Sequence, residues 1–325
     1  MRSALLGLFC LGAAPVMADT WPELALQSEH PVEGMRGGNL SGLALCSGEL
    51  WAVSDRDDDQ IYRLDTRESL WQAEALPVDV PPAPESGLPW GVRMMGKAIS
   101  PLRGGELDFE GISCDEAGNR FVVSESHAAV LQIPQAGAPS WLKIDPALVR
   151  QARASGMLLH FNALFEGIAV NPQGNQIWLA AERERRGLLT IRKKQSVWDC
   201  ENGCVLMSEG GLEQPPQLNA KAQAKDFADL ALFEDKLFTL ERMAYRICRR
   251  TPDTGEIERC WSFANDALTD ARRYNTGYGN TEALSLDAKG AWVGVDNGSH
   301  RRADGEKRPI VWRFAAPQGG WSAKQ

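Results

Sequence analysis

Three glutamates recur in one local setting, in Asp108-Phe109-Glu110-Gly111-Ile112-Ser113, Phe165-Glu166-Gly167-Ile168-Ala169 and Asn280-Thr281-Glu282-Ala283-Leu284-Ser285. A fourth segment, Phe227-Ala228-Asp229-Leu230-Ala231, has the same form with an aspartate where two of the others have glycine. Each opens a run of strand-forming residues that turns and returns. Counting across the turns sets Glu110 opposite Glu125, Glu166 opposite Ala181 and beside Glu182, Asp229 opposite Leu240 and beside Glu241, and Thr281 opposite Asp296. Asp55, Asp57, Asp58 and Asp59 add further acid after the corresponding strand of an earlier repeat. Carboxylates gathered in one place repel one another and hold protons more tightly unless a cation sits among them. A hard divalent ion such as Ca²⁺ takes oxygen ligands of this kind. The expected metal ligands are therefore Glu110, Glu166 and Glu282, extended by Asp229 and Asp296.

Basic and amide side chains stand close by in sequence. Arg183, Arg242 and Arg273, with Asn162 and Asn297, are candidates for holding a small anionic ester, since guanidinium groups pair with phosphate or carboxylate. Glu166, Glu110 and His160 are the candidates for catalysis. Asp55-x-Asp57-x-Asp59 begins like an EF-hand loop, but Gln60 replaces its glycine and Thr66 its closing glutamate. The chain has no Gly-x-Ser-x-Gly elbow, no His-Glu-x-x-His and no glycine-rich phosphate loop ending in Lys-Ser or Lys-Thr.

The elements that must position these residues follow from self-similarity. Five segments start alike, at Ser41-Gly42-Leu43-Ala44, Glu110, Glu166, Ala228 and Glu282, and each reaches a turn rich in Gly, Asn, Asp or Pro. A third strand follows in each, at Gln60–Arg63, Val130–Ile133, Leu188–Ile191, Tyr245–Cys248 and Ile310–Arg313. Fourth strands fall near Trp71, Trp141, Trp198 and Trp261; the fifth repeat lacks one, and Trp21–Gln27 is placed to supply it and close a ring. The expected fold is an all-β β-propeller of five recognisable four-stranded blades, with six possible, because closure removes the exposed sheet edge. The repeats are longer than bare blades, so long loops are expected. One is the Pro81–Pro89 stretch followed by Trp90, a possible loop platform, and another carries a short helix starting near Pro146.

Composition fits this plan. Among 325 residues, 43 Asp plus Glu face 35 Lys plus Arg for a net charge of -8, which gives no basic field for nucleic acid. Met1-Arg2, an apolar stretch to Val16, and Val16-Met17-Ala18 read as a signal peptide over residues 1–18, leaving 19–325 as the working domain. A periplasmic or secreted protein is expected, not transmembrane, and as a monomer. Removing Cys10 leaves six cysteines for an oxidising compartment. Cys248 and Cys260 flank one hairpin symmetrically, Cys200 and Cys204 enclose three residues, and Cys46 and Cys114 remain to bridge neighbouring repeats.

The set of repeat openings, with Leu240-Glu241-Arg242 and Asp296-Asn297, resembles the phytase-like family described as having esterase-like activity, exported bacterial β-propellers. The resemblance implies a calcium-assisted hydrolase of phosphate or carboxylate esters, and Glu110, Glu166 and Glu282 match its motifs. Asp229 and Ala283 depart from them. Two other readings share the fold: a non-catalytic ligand- or protein-binding propeller, and a lactonase-like calcium enzyme acting on an uncharged ring ester.

Overall fold

A computed structural model describes residues 21–36, 38–103, 105–213, 221–274, 280–298 and 300–323. The leader expected over residues 1–18 lies outside them. The chain is all-β, and each repeat forms an antiparallel sheet. The first is Gly42–Cys46, Glu49–Val53, Gln60–Asp65 and Trp71–Pro77; the second Phe109–Cys114, Arg120–Ser124, Ala129–Ile133 and Ser140–Trp141. In the third, Phe165–Val170, Gln176–Ala181 and Arg185–Lys194 continue into Val197–Asp199, and Val205–Gly210 also pairs with Arg185–Lys194. The fourth is Asp229–Phe233, Lys236–Glu241, Arg246–Arg250 and Ile257–Ser262. Tight turns make the hairpins: Ser47 and Gly48 have φ of 52° and 85°, the positive pair that matches strand twist in a two-residue turn.

The fifth sheet, Thr281–Asp287, Gly290–Val295 and Ile310–Ala315, takes its fourth strand from the N-terminal region. That strand is Leu26–Glu33, further along the chain than the expected Trp21–Gln27; Glu23 makes only an isolated bridge to Ser262. Leu26–Glu33 pairs antiparallel with Ile310–Ala315 and, at Val32 and Glu33, parallel with Trp71 and Gln72. One strand thus ties the last repeat to the first. Trp71 is buried and stacks on His30, 4.4 Å between ring centroids.

The first strands of the sheets touch in a closed cycle from Gly42–Cys46 through Phe109–Cys114, Phe165–Val170, Asp229–Phe233 and Thr281–Asp287 back to the start. This is a propeller-type arrangement, and it explains the recurring glycine. A Cβ on Gly111 would stand 2.7 Å from the Glu166 carbonyl oxygen, and one on Gly167 2.7 Å from the Asp229 Cα. Only glycine allows backbones this close. Apolar residues of adjacent sheets fill the space between them, as Phe109, Ile112 and Val122 do against Ala44, Trp51 and Val53. The disulfides pair as read: Cys46–Cys114 joins the first two repeats, Cys248–Cys260 is a cross-strand pair, and Cys200–Cys204 closes a small loop.

Two loop expectations change. Trp90 begins an α-helix, Trp90–Arg103, and is 71% exposed at its start, so it is not part of a loop. The second helix is Ala147–Ala154 with Pro146 at its N-cap, one residue later than expected. Among the described residues no helix is long and apolar enough to cross a membrane.

Candidate functional site

Two positions per repeat build an acidic mouth on the ring. The first is the glutamate of the opening motif. Phe109 pairs with Ser124 and Gly111 with Val123, so Glu110 is the extra residue of a β-bulge. Glu166 and Glu282 are the extra residues of equivalent bulges, between Phe165 and Gly167 and between Thr281 and Ala283. A bulge re-aims a side chain that strict alternation would send elsewhere. It also shifts the expected pairing: Phe165, not Glu166, faces Ala181, and Thr281 faces Val295 rather than Asp296.

The second position immediately follows the second strand. There the N–H groups of Glu125, Glu182 and Asp296 donate to the carbonyls of Asp108, Leu164 and Asn280, 2.8 to 2.9 Å. These bonds repeat from sheet to sheet and put an acid at the same place three times. In the fourth repeat that place is taken by Arg242. Asp55 lies two residues past the first repeat's second strand, Glu49–Val53, and Asp108, with a left-handed φ of 56°, precedes the Glu110 bulge.

The result is two carboxylate triads, Asp55 with Asp108 and Glu110, and Glu125 with Glu166 and Glu182, each able to bring three oxygens within 4.8 Å of one another. Glu125 and Glu182 are each 2% exposed. Burial pushes Glu110 and Glu166 well above the usual carboxylate range, and their acidic neighbours, Asp108 and Asp55 for Glu110 and Glu182 for Glu166, push the same way. Asp55 rises to about 7 through burial, opposed by Arg56 and reinforced by Asp296 and Asp108. Glu282 rises to about 8, again through burial, although Arg242 opposes it. Burial also raises Glu182 and Asp296. Buried Asp55 Oδ1, Glu182 Oε2 and Glu282 Oε2 have no hydrogen-bond partner among the described residues. An all-oxygen donor set with orphaned buried oxygens fits a hard cation.

The expected site residues separate into groups. Glu110 and Glu166 sit in different triads; Glu282 enters the electrostatics of both, and Asp296 that of Asp55 and Glu282. Asp229 is fully buried, and its carboxylate accepts N–H bonds from Leu230 and Leu284, both 2.7 Å, and from Ile168. It joins three repeats, and its oxygens are engaged there and not at the mouth. Arg242 is likewise engaged: Nη2 donates to Glu182 and Nε to Asp226, both 2.6 Å, and Nη1 to Glu282. With three carboxylates on one guanidinium, it orders the acids and has no face left for a substrate anion.

Arg183 pairs with Glu182 at 3.0 Å and donates to the Asn162 carbonyl at 2.8 Å, remaining partly exposed at the edge of the mouth. His160 is exposed, and Arg273 is an exposed partner of Asp270. Asn297 is buried and donates to the His300 and Lys307 carbonyls. Asp226, not among the expected site residues, is 1% exposed and accepts from Arg242 and the Met243 N–H. The frame could have revealed it, since Asp226-Phe227 repeats Asp108-Phe109.

Comparison with solved structures finds likenesses of low identity. A glutaminyl cyclase from Myxococcus xanthus is 8% identical over 89% of this chain and 94% of its own, TM-score 0.47. The PQQ-bound aldose sugar dehydrogenase from Streptomyces coelicolor is 11% identical over 90% and 98%, TM-score 0.46. A gluconolactonase from Xanthomonas campestris is 8% identical over 85% and 72%, TM-score 0.41. Overlaps this loose say nothing about chemistry. Comparison with curated protein sequences gives no match. Comparison with family profiles gives a match over the first three repeats, which carry both carboxylate triads. Over residues 36–195 the chain is similar to the phytase-like family, described as esterase-like activity of phytase.

Proposed function

We propose that this chain is an exported hydrolase of phosphate or carboxylate esters, working with Ca²⁺ at the acidic mouth of a five-bladed propeller. The observation that carries the reading is the pair of carboxylate triads, Asp55, Asp108 and Glu110 beside Glu125, Glu166 and Glu182, with Arg242 as the buried cation that faces them. Those six residues, with Glu282 and Asp296, would hold the ion. When bound, it polarises an ester oxygen and makes water more acidic.

The chain's own residues do the rest. Arg242 fixes Glu182 and Glu282, and Asp229 locks three repeats beneath them. A mouth carboxylate whose affinity for protons is raised toward neutrality is suited to take a proton from water near pH 7. Arg183 is the cation left at the rim for an anionic group. The full engagement of Arg242 favours esters of low charge, which keeps the lactonase-like reading as the second choice. Export is supported by the leader-like residues 1–18 and by three disulfides.

The test is hydrolysis of 4-nitrophenyl phosphate and 4-nitrophenyl acetate with Ca²⁺ and with chelator, for the natural sequence and Glu166→Gln. We expect turnover that chelator removes and that Glu166→Gln lowers at least about 100-fold. Activity indifferent to both would remove the metal role; tight binding of esters without turnover would favour the binding propeller.

A further inference from the structure

A groove of about 900 Å³ runs beside the mouth. Pro81 to Pro84 line one part of it, and the helix Trp90–Arg103 contributes Arg93, Gly96 and Lys97. Val78, Val80, Leu107 and Phe161 add apolar surface. Asp108 belongs both to this lining and to the first carboxylate triad, so an occupant of the groove ends against the acids. The volume is that of a pocket for a sizeable organic molecule.

The charges of the lining select among occupants. Asp58, Asp59, Asp79, Glu85 and Glu106 join Asp108, against Arg93 and Lys97. Two of the acids already have work: Asp58 accepts the Glu106 and Leu107 N–H groups, and Asp59 pairs with Arg36. The field is still negative, and a polyanion entering it meets like charge at close range.

We propose that the groove binds the organic part of the substrate, and that the substrate class is an ester carrying an extended, uncharged, partly apolar group, not a polyphosphorylated one. The word ester rests on the hydrolase reading above; the binding site rests on the groove alone. Each buried CH₂ of such a group contributes about 0.8 kcal/mol, so a few of them change affinity by tenfold or more.

The experiment separates the two. A Cβ on Gly96 meets nothing within 4 Å, so Gly96→Trp adds bulk in the groove without a backbone clash. Replacing a helical glycine also favours the helix. The full chain and this variant, with Ala83→Trp on the facing segment as a second block, are titrated calorimetrically with N-(4-nitrophenyl)hexanamide, which carries the organic group without the ester. The same proteins are assayed with 4-nitrophenyl acetate and hexanoate. We expect amide binding and a hexanoate preference in kcat/KM of roughly tenfold or more, both lost in the variants. Amide binding that the variants abolish, without ester cleavage, upholds the groove and defeats the hydrolase reading. No amide binding, or a hexanoate preference that both variants retain, overturns the proposal. So does inositol hexakisphosphate displacing the amide.

Discussion

Two clusters of buried acid sit in one ring and behave oppositely. In the fourth repeat Glu241 is fully buried among Arg186, Arg246 and Arg250, at 2.5 to 3.0 Å, and those contacts hold its carboxyl well below the usual range despite its burial. Arg186 and Arg250 also lie over the Phe227 ring. At the mouth, carboxylates outnumber Arg242 and are driven upward by burial and by each other. Glu241 was expected among the mouth acids, yet its neighbours make it part of the frame. The contrast shows that a buried carboxylate reports function only when the protein itself does not neutralise it.

The comparison can be broken from either side. The largest effect is expected for Glu241→Ala, which takes from Arg186, Arg246 and Arg250 the buried carboxylate they share. Removing one partner of a buried ion pair costs about 3–5 kcal/mol, measured by denaturant unfolding, and Ca²⁺ should not restore it. Next, Glu166→Gln should leave metal-free stability unchanged or raise it by about 1 kcal/mol, since a neutral amide replaces a buried carboxyl crowded by other acids. It should nonetheless abolish stabilisation by Ca²⁺. A large loss of metal-free stability in this variant would show that the mouth is a satisfied network after all.

The smallest effect is in pH. Glu282 and Asp55 bind protons more tightly folded than unfolded, so their contribution is full below about pH 4 and lost as pH rises through about 7 to 8. Metal-free protein should therefore lose stability between pH 5 and 8, by about 1 kcal/mol or more, and Ca²⁺ should reverse the loss. Glu241 has the opposite sign: its contribution is present above the ordinary carboxylate range and disappears as pH falls below it. Melting curves across pH, with and without Ca²⁺, read both.

Repeats, turns and cysteine pairs were legible because each rests on local chemistry: Ser47-Gly48 turns whatever surrounds it, and Cys248 and Cys260 face each other once one hairpin is in register. The mouth was legible in kind but not in register. Period-two counting assumes no extra residue, and the bulges at Glu110, Glu166 and Glu282 each insert one. Arg242 reads as an anion binder in sequence; only packing brings Glu182, Asp226 and Glu282 onto it. The helix Trp90–Arg103 was hidden because Trp90 follows the proline-rich Pro81–Pro89 stretch and precedes Gly91, a setting that reads as loop. The closing strand was misplaced because Pro31 interrupts its pattern, although that strand pairs on both sides.

The central claim is that the mouth binds a cation that the protein does not itself supply. Calorimetric titration of Ca²⁺ into chelator-treated protein near pH 8 tests it most directly, with Glu110→Gln, Glu166→Gln and Glu241→Gln alongside. The account predicts saturable binding that weakens at least about tenfold in each mouth variant and persists in whatever Glu241→Gln protein remains folded. No binding heat and no shift in melting temperature, or binding that both mouth variants retain in full, would contradict it.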